Sequence, residues 1–317
     1  MRDVKNKKIA VLGATGHIAK GLIYNFYLNG IEDVFLFARS KTRLLKFLSS
    51  IRCEKKFIKR DFEKFPNYKY DVVINCVGLG SPLKVKDTGA KIFELTEEFD
   101  SMVLNYLKRY PNTLYISFSS GAAFGTEFKL PVGNDTYSKW NINNIQQSDY
   151  YGIAKFYSEV KHRSLKNLNI VDLRVFGYFS RFIDLDASYL LSEIILCMKN
   201  KERLVTNSQN IIRDFVHPED IFSLIKKCIL KENINEVFDV YSKKPVSKFE
   251  ILNFFEKNYG LKYKINKKIK TASVTGVKIN YYSKSRKAEK IGYRPKFTSI
   301  NCIAKETKEL LEVRDDI

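Results

Sequence analysis

Four residues near the start of the chain, Gly13-Ala14-Thr15-Gly16, separate two segments of opposite periodicity. Residues 8–12 form an apolar run of strand length. Residues 18–29 carry Ile18, Leu22, Ile23 and Phe26 at helical spacing, and Gly30 follows as a stop signal. Few architectures let a strand turn into a helix within four residues, two of them glycine. The arrangement predicts the first unit of a parallel sheet, with the helix packing back across the strands.

The same rhythm continues to residue 176. Strands are predicted over 33–38, 56–59, 71–77, 113–119 and 170–175, and helices over 42–50, 92–109 and 150–168. Segment 71–77 is nearly all apolar, as a strand covered on both faces is. The alternation predicts an α/β fold, a doubly wound parallel sheet of the Rossmann type. Beyond 176 the rhythm loosens, with helical patches at 187–199, 218–230, 247–259 and 300–313 and short strands near 236–241 and 261–265. We therefore expect residues 1–176 to form a dinucleotide-binding Rossmann domain. Residues 177–317 are expected to be mostly a smaller C-terminal α/β substrate lobe, with some segments returning to the sheet. A chain of 317 residues that is 44% hydrophobic has enough apolar surface for both.

Composition excludes several classes. The net charge of +20 is spread along the whole chain, with no arginine-rich arm or nucleic-acid module. Solvated lysines account for it, and no nucleic-acid partner is expected. Cys53, Cys76, Cys197, Cys228 and Cys302 make no C-x-x-C, and none lies near a histidine at zinc spacing. No metal site is expected, and the pattern fits a reducing compartment. The charged residues 1–8 do not read as a signal peptide, and no apolar run approaches the roughly 20 residues that span a membrane. A cytoplasmic protein without membrane insertion is expected.

Ligands of such sheets bind beyond the C-terminal strand ends. At the first strand end, Gly13, Thr15, Gly16, His17 and Ile18 offer a close-approach backbone and the free N–H groups of a helix start, which suit a pyrophosphate. The spacing is G-x-x-G-x-x-A rather than G-x-G-x-x-G. At the second, Arg39, Ser40 and Arg43 stand where an acidic residue would bind the ribose hydroxyl of NAD. Guanidinium and hydroxyl groups there suit a 2′-phosphate, so NADP(H) is expected ahead of NAD(H). After the third strand, Asp61 precedes Phe62 and reads either as an adenine contact or as a helix cap. Cys76, Val77 and Gly78 close the fourth strand and complete the expected cofactor contacts.

Tyr151-Gly152-Ile153-Ala154-Lys155 puts a phenol and an ammonium on one helix face. An ammonium favours a nearby phenolate, which allows proton exchange near neutral pH. Upstream, the fifth strand ends in Ser119-Ser120-Gly121, so Ser120 and Gly121 can meet a substrate oxygen beside Tyr151. Further on lies Arg213-Asp214-Phe215-Val216-His217-Pro218-Glu219-Asp220. Arg213 can hold a diphosphate, and Asp214 can orient a neighbour. Pro218 opens a helix with an acidic first turn, and His217 reads as structural.

In this order, the motifs resemble the extended short-chain dehydrogenase/reductase family of nucleotide-sugar epimerases, dehydratases and reductases. Leu173-Arg174 and the closing Lys290-Ile291-Gly292-Tyr293-Arg294-Pro295 extend the resemblance to essentially the whole chain. It implies that Tyr151 is the acid/base and that Lys155 binds the nicotinamide ribose and tunes Tyr151. It also implies that Ser120 bridges the sugar oxygen and Arg213 holds the diphosphate of a nucleotide-sugar substrate. A homodimer through the Tyr151 helix and the preceding long helix is implied as well. Three departures narrow the reaction. Where sugar 4,6-dehydratases carry Thr-Asp-Glu or Ser-Asp-Glu, this chain has Ser120-Gly121-Ala122. No cysteine lies near Ser120, unlike the Cys and His pair of GDP-fucose synthase. Gly177 stands where many relatives have a substrate-contacting asparagine. The expectation is an NADPH-dependent reductase of a nucleotide-linked 4-keto sugar. A 4-epimerase and a non-catalytic NADP-binding sensor are the alternatives.

Overall fold

A computed structural model describes residues 4–78, 87–269 and 278–312. Seven parallel strands make the central sheet: β1 (Ile9–Leu12), β2 (Val34–Phe37), β3 (Ile58–Arg60), β4 (Val72–Asn75), β5 (Leu114–Ser120), β6 (Ile170–Val175) and β9 (Asn235–Val240). Their order is β3-β2-β1-β4-β5-β6-β9. The chain runs outward from β1 to β3, then returns to lay β4 on the other side of β1. Strand order reverses there, and Leu12 pairs with Asn75, so Gly13 and Cys76 emerge side by side.

Every residue of β1, β2 and β4 is buried, which is why these strands read as continuous apolar runs. Alternate residues face opposite helix layers. Ile9, Val11 and Leu36 pack with Leu22 and Phe26 of α1 (His17–Leu28), Leu44 and Phe47 of α2 (Lys41–Ser50), and Ile221 and Ile225 of α6 (Pro218–Leu230). Ala10, Leu12 and Phe37 pack with Val103 and Leu107 of α3 (Lys91–Arg109). The Tyr151 helix, α4 (Gln147–Ser164), lies beside α3.

After β6 the chain divides. β9 closes the sheet edge and α6 packs on α1. A separate core joins α5 (Leu190–Lys199), α7 (Lys248–Tyr259) and α8 (Ser299–Glu312) through Ile194, Leu252, Phe255 and Ile303. Beside it, β10 (Val246–Ser247), β8 (Ile212–Arg213) and β12 (Asn280–Tyr281) form a small sheet, and β11 (Tyr263–Ile265) pairs with β7 (Leu204–Thr206).

Several boundaries differ from the sequence expectation. α4 starts at Gln147 because Gln146 and Asp149 form a reciprocal capping box. It stops at Ser164, before residue 168, because Asn235 Nδ2 donates to the carbonyls of His162, Leu165 and Leu168 at 3.1, 2.9 and 3.1 Å. β3 starts at Ile58 because the chain is still turning at Lys56, whose N–H bonds back to Cys53 O at 3.1 Å. α5 starts at Leu190, with Tyr189 at the cap position. Val313, the expected end of the last helix, lies outside the described residues. No helix of the described residues is long and apolar enough to cross a membrane.

Candidate active site

The switch between β1 and β4 holds the glycine turn. Gly13 has φ +73°, and a Cβ there would lie 3.0 Å from backbone atoms of Cys76 and Val77. A Cβ at Gly16 would lie 3.2 Å from Gly13 O. Gly16 caps α1 with no side-chain hydrogen bond, so the first N–H groups of the helix keep their positive potential. Thr15 and Ile18 are half-buried beside this turn. A concavity of bare backbone at a helix start fits a dinucleotide pyrophosphate. The His17 ring packs edge-on against Tyr178 at 4.7 Å between centroids. Burial pushes its pKa down to about 4, so the ring is neutral at physiological pH.

Arg39 and Arg43 are exposed beyond the end of β2, and Ser40 caps α2 by accepting the Arg43 N–H at 3.3 Å. Asp61 stands at the cap position of a short 3-10 turn (Phe62–Asn67) but its side chain makes no cap bond. Its carboxylate instead pairs with Lys41 at 2.9 Å, both side chains being exposed. Phe62 packs against Phe37 and Phe99, with centroids 6.0 and 5.0 Å apart. Cys76 meets Gly13 through its backbone, and Val77 and Gly78 line a small cavity with Asn75 and Lys155. A Cβ at Gly78 would stand 3.8 Å from Lys155 Nζ.

α4 seats directly on the turn that follows Ser120. A Cβ at Gly152 would fall 2.5 Å from Ala122 O and from Trp140 Cη2, so only glycine allows this approach. The seat brings Tyr151 and Lys155 to the β5 end. Lys155 is buried, donates to Phe118 O at 2.9 Å and stands 5.9 Å from the Tyr151 ring centroid. Ser120 Oγ accepts the Ala122 N–H at 3.2 Å and lies 3.1 Å from Tyr281 Oη. The Tyr281 ring is held by Phe128 and Phe176 at centroid distances of 4.7 and 5.2 Å.

Two basic side chains lie over the Tyr281 ring. Arg213 Cζ is 5.9 Å and Lys278 Nζ 4.5 Å from the ring centroid. Arg213 donates to Ile212 O and Ile279 O at 2.8 and 3.3 Å and has no carboxylate in ion-pair range among the described residues. Burial pulls its pKa down to about 10. Enclosure, and secondly the Arg213 charge, pull Lys278 down to about 7. Two basic groups whose pKa values burial pulls down are favoured by an anion beside them.

Two glycines show what this pocket excludes. A Cβ at Gly121 would lie 2.3 Å from the Phe176 ring, so Phe176 fills the place where a dehydratase-type carboxylate would start. Gly121→Ala is therefore expected to destabilise the protein by about 1–3 kcal/mol through overpacking, measured as a lowered urea midpoint. A Cβ at Gly177 would lie 2.5 Å from Asp214 O, which leaves no room for the asparagine of many relatives.

Most of the motif after Arg213 is framework. Asp214 accepts from the Ser242 N–H and from Ser299 Oγ at 3.0 Å. His217 caps α6, stacks on Phe297 at 3.9 Å, and has Nε2 3.2 Å from Glu306. Asp220 accepts from the N–H groups of Lys296 and Phe297 at 2.7 and 3.1 Å. Sequence reasoning missed Lys278 and Tyr281. Tyr281 lies in a strand two residues long and Lys278 just before it, and no spacing signal sets them apart.

A model of the NAD dependent epimerase/dehydratase family matches residues 9–241. The chain belongs to this family. A protein of Methanocaldococcus jannaschii, itself uncharacterised, is 24% identical over 98% of both chains. Among solved structures, UDP-glucose-4-epimerase of Stenotrophomonas maltophila, with bound NAD and formylated UDP-arabinopyranose, matches with a TM-score of 0.80 at 15% identity. That match covers 98% of this chain and all (100%) of the other. The dTDP-glucose 4,6-dehydratase of Bacillus anthracis, in complex with NAD, matches with a TM-score of 0.76 at 15% identity over 97% of each chain. As a family member with this fold, the chain is an NAD(P)-dependent enzyme of the extended short-chain dehydrogenase/reductase type.

Proposed function

We propose that this enzyme reduces the C4 ketone of a nucleotide-linked sugar, with NADPH as donor. The observation that carries the reading is the surroundings of Tyr281. Its hydroxyl meets Ser120 at the β5 end, where Lys155 and Tyr151 also lie, and its ring carries Arg213 and Lys278 at 5.9 and 4.5 Å. A nucleotide sugar has the matching order, with a reacting carbon a few bonds from a diphosphate. Arg213 and Lys278 hold the diphosphate. Ser120 donates to the ketone oxygen, and the Tyr151 hydroxyl delivers its proton to that oxygen as the alcohol forms. Lys155 stands beside Tyr151 and binds the nicotinamide ribose. Gly13, Thr15, Gly16, His17 and Ile18 hold the pyrophosphate through the backbone, with Cys76, Val77 and Gly78 along the cofactor. When bound, the reduced nicotinamide supplies the hydride.

NADP is favoured by Arg39 and Arg43, which are exposed at the end of β2, and by the pairing of nearby Asp61 with Lys41. Gly121 beside Phe176 argues against elimination, which needs a carboxylate at that point. Residues 177–317 are mostly the substrate lobe, with segments returning to the Rossmann domain. A homodimer would pair α3 and α4, which leave Phe93, Tyr157 and Val160 exposed. The second reading is a 4-epimerase, favoured by the shared fold with solved UDP-sugar 4-epimerases.

The test is anaerobic incubation with nucleotide-linked 4-keto sugars and NADPH, followed by nicotinamide absorbance. Stoichiometric NADPH loss is expected. Tightly held cofactor, no NADPH loss and interconversion of unreduced nucleotide sugars would replace the reductase with the epimerase.

A further inference from the structure

The Ser120 hydroxyl has one proton and two acceptor lone pairs, so its partners decide which way the proton points. The Ala122 N–H takes one lone pair at 3.2 Å. Tyr281 Oη, 3.1 Å away, is the second partner, and either oxygen of this pair can be the donor. The surroundings decide it. Burial raises the Tyr281 pKa, with the Ser120 bond and Arg213 acting in the opposite sense, so the phenol keeps its proton. The nearby Arg213 can only donate. Ser120 Oγ is the acceptor within hydrogen-bond distance of the phenol. The ring cannot turn aside, because Phe128 and Phe176 enclose it and its backbone pairs with Arg213 in the small sheet.

We infer that Tyr281 is a positioning residue, whose hydroxyl donates to Ser120 Oγ and turns the Ser120 proton toward the substrate oxygen. With both lone pairs taken, Ser120 has only its proton left to offer. A sugar ketone can accept it, and so can the oxygen of a sugar hydroxyl, so the arrangement serves reduction and oxidation alike. The inference rests on the reading of Ser120 as the contact to the substrate oxygen. It adds to that reading a reason for the hydroxyl to face the substrate as a donor before the substrate arrives.

The variants are Tyr281→Phe, which removes one oxygen and keeps the ring, Ser120→Ala, and the double variant. Kinetics are measured with whichever nucleotide sugar the wild type turns over. Tyr281→Phe is expected to lower kcat about tenfold, the worth of one hydrogen bond, while KM changes less than about twofold. In the Ser120→Ala background it is expected to do nothing further, because the group it positions is gone. A role confined to packing would instead give the same loss in both backgrounds, and that result, or an unchanged kcat, overturns the inference. Neutron structures of the wild type and Tyr281→Phe, without sugar, give an answer independent of activity. In the wild type the Tyr281 deuteron is expected on the line to Ser120 Oγ with the Ser120 deuteron pointing away from Tyr281, and a Ser120 deuteron on the line to Tyr281 Oη refutes the positioning role. If the wild type turns over none of the sugars, the proposed function has failed, and the deuteron positions alone decide this inference.

Discussion

Tyr151→Phe is expected to lower turnover by about 10²–10⁴-fold, the range that a positioned acid or base contributes. The substitution deletes one oxygen from a half-buried ring and leaves α4 on its seat against Ala122 and Trp140. Lys155 keeps its bond to Phe118 O. Binding of nucleotide sugar and cofactor should therefore survive, and the loss should fall on kcat with KM little changed. Single-turnover decay of nicotinamide absorbance measures the chemical step directly. Turnover equal to wild type would remove Tyr151 from the chemistry. An intact biological effect despite lost turnover would favour the sensor, in which the cleft binds nucleotide without acting on it.

The legible parts of this chain are those whose signal is local. β1, β2 and β4 announce themselves as apolar runs because both faces are covered. Gly13 and Gly16 are readable because a tight strand–helix turn admits few other residues. Tyr151 and Lys155 are readable because one helix turn separates them. The illegible parts join residues far apart in sequence. Tyr281 reaches Ser120 across 161 positions. Asp61 reads as a cap or an adenine contact, and its pairing with Lys41 has no local signal. Gly121 reads as a missing carboxylate, but the reason it must stay glycine is Phe176, which arrives from the end of β6. The periodicity predicts mostly a smaller lobe after residue 176, with some segments returning to the sheet. Which of its strands joins the sheet depends on α6 packing on α1 and carrying β9 to the edge beside β6. A periodicity reading sees β9 as one more short strand.

His162→Gln is expected to destabilise the protein near neutral pH by about 3–5 kcal/mol, because it leaves two buried carboxylates without their shared partner. His162 is wholly buried in α4, two turns beyond Lys155. Its Nδ1 is 2.9 Å from Asp172 Oδ1 and its Nε2 2.7 Å from Asp100 Oδ1. Asp100 also accepts from Tyr115 Oη at 2.9 Å and pairs with Lys161 at 2.6 Å, while Asp172 pairs with Arg163 at 2.9 Å. Burial alone would keep the ring neutral. The hydrogen bonds and charges of the two carboxylates outweigh it and raise the pKa to about 9. The folded value thus lies above the unfolded one of about 6.5, so the proton stabilises the fold. That stabilisation is complete below about pH 6.5 and fades as pH rises through about 9, a total on the order of 3 kcal/mol. Lys278 acts in the opposite sense from about pH 7 upward, since its folded value lies below the unfolded one. It is common to both proteins, so the quantity to read is the gap between the wild-type and His162→Gln stability curves, from urea unfolding at pH 6 to 9.5. The gap is expected to close by most of that amount across the window. A constant gap would mean that His162 is neutral in the fold, held as one tautomer between a protonated and an ionised carboxyl.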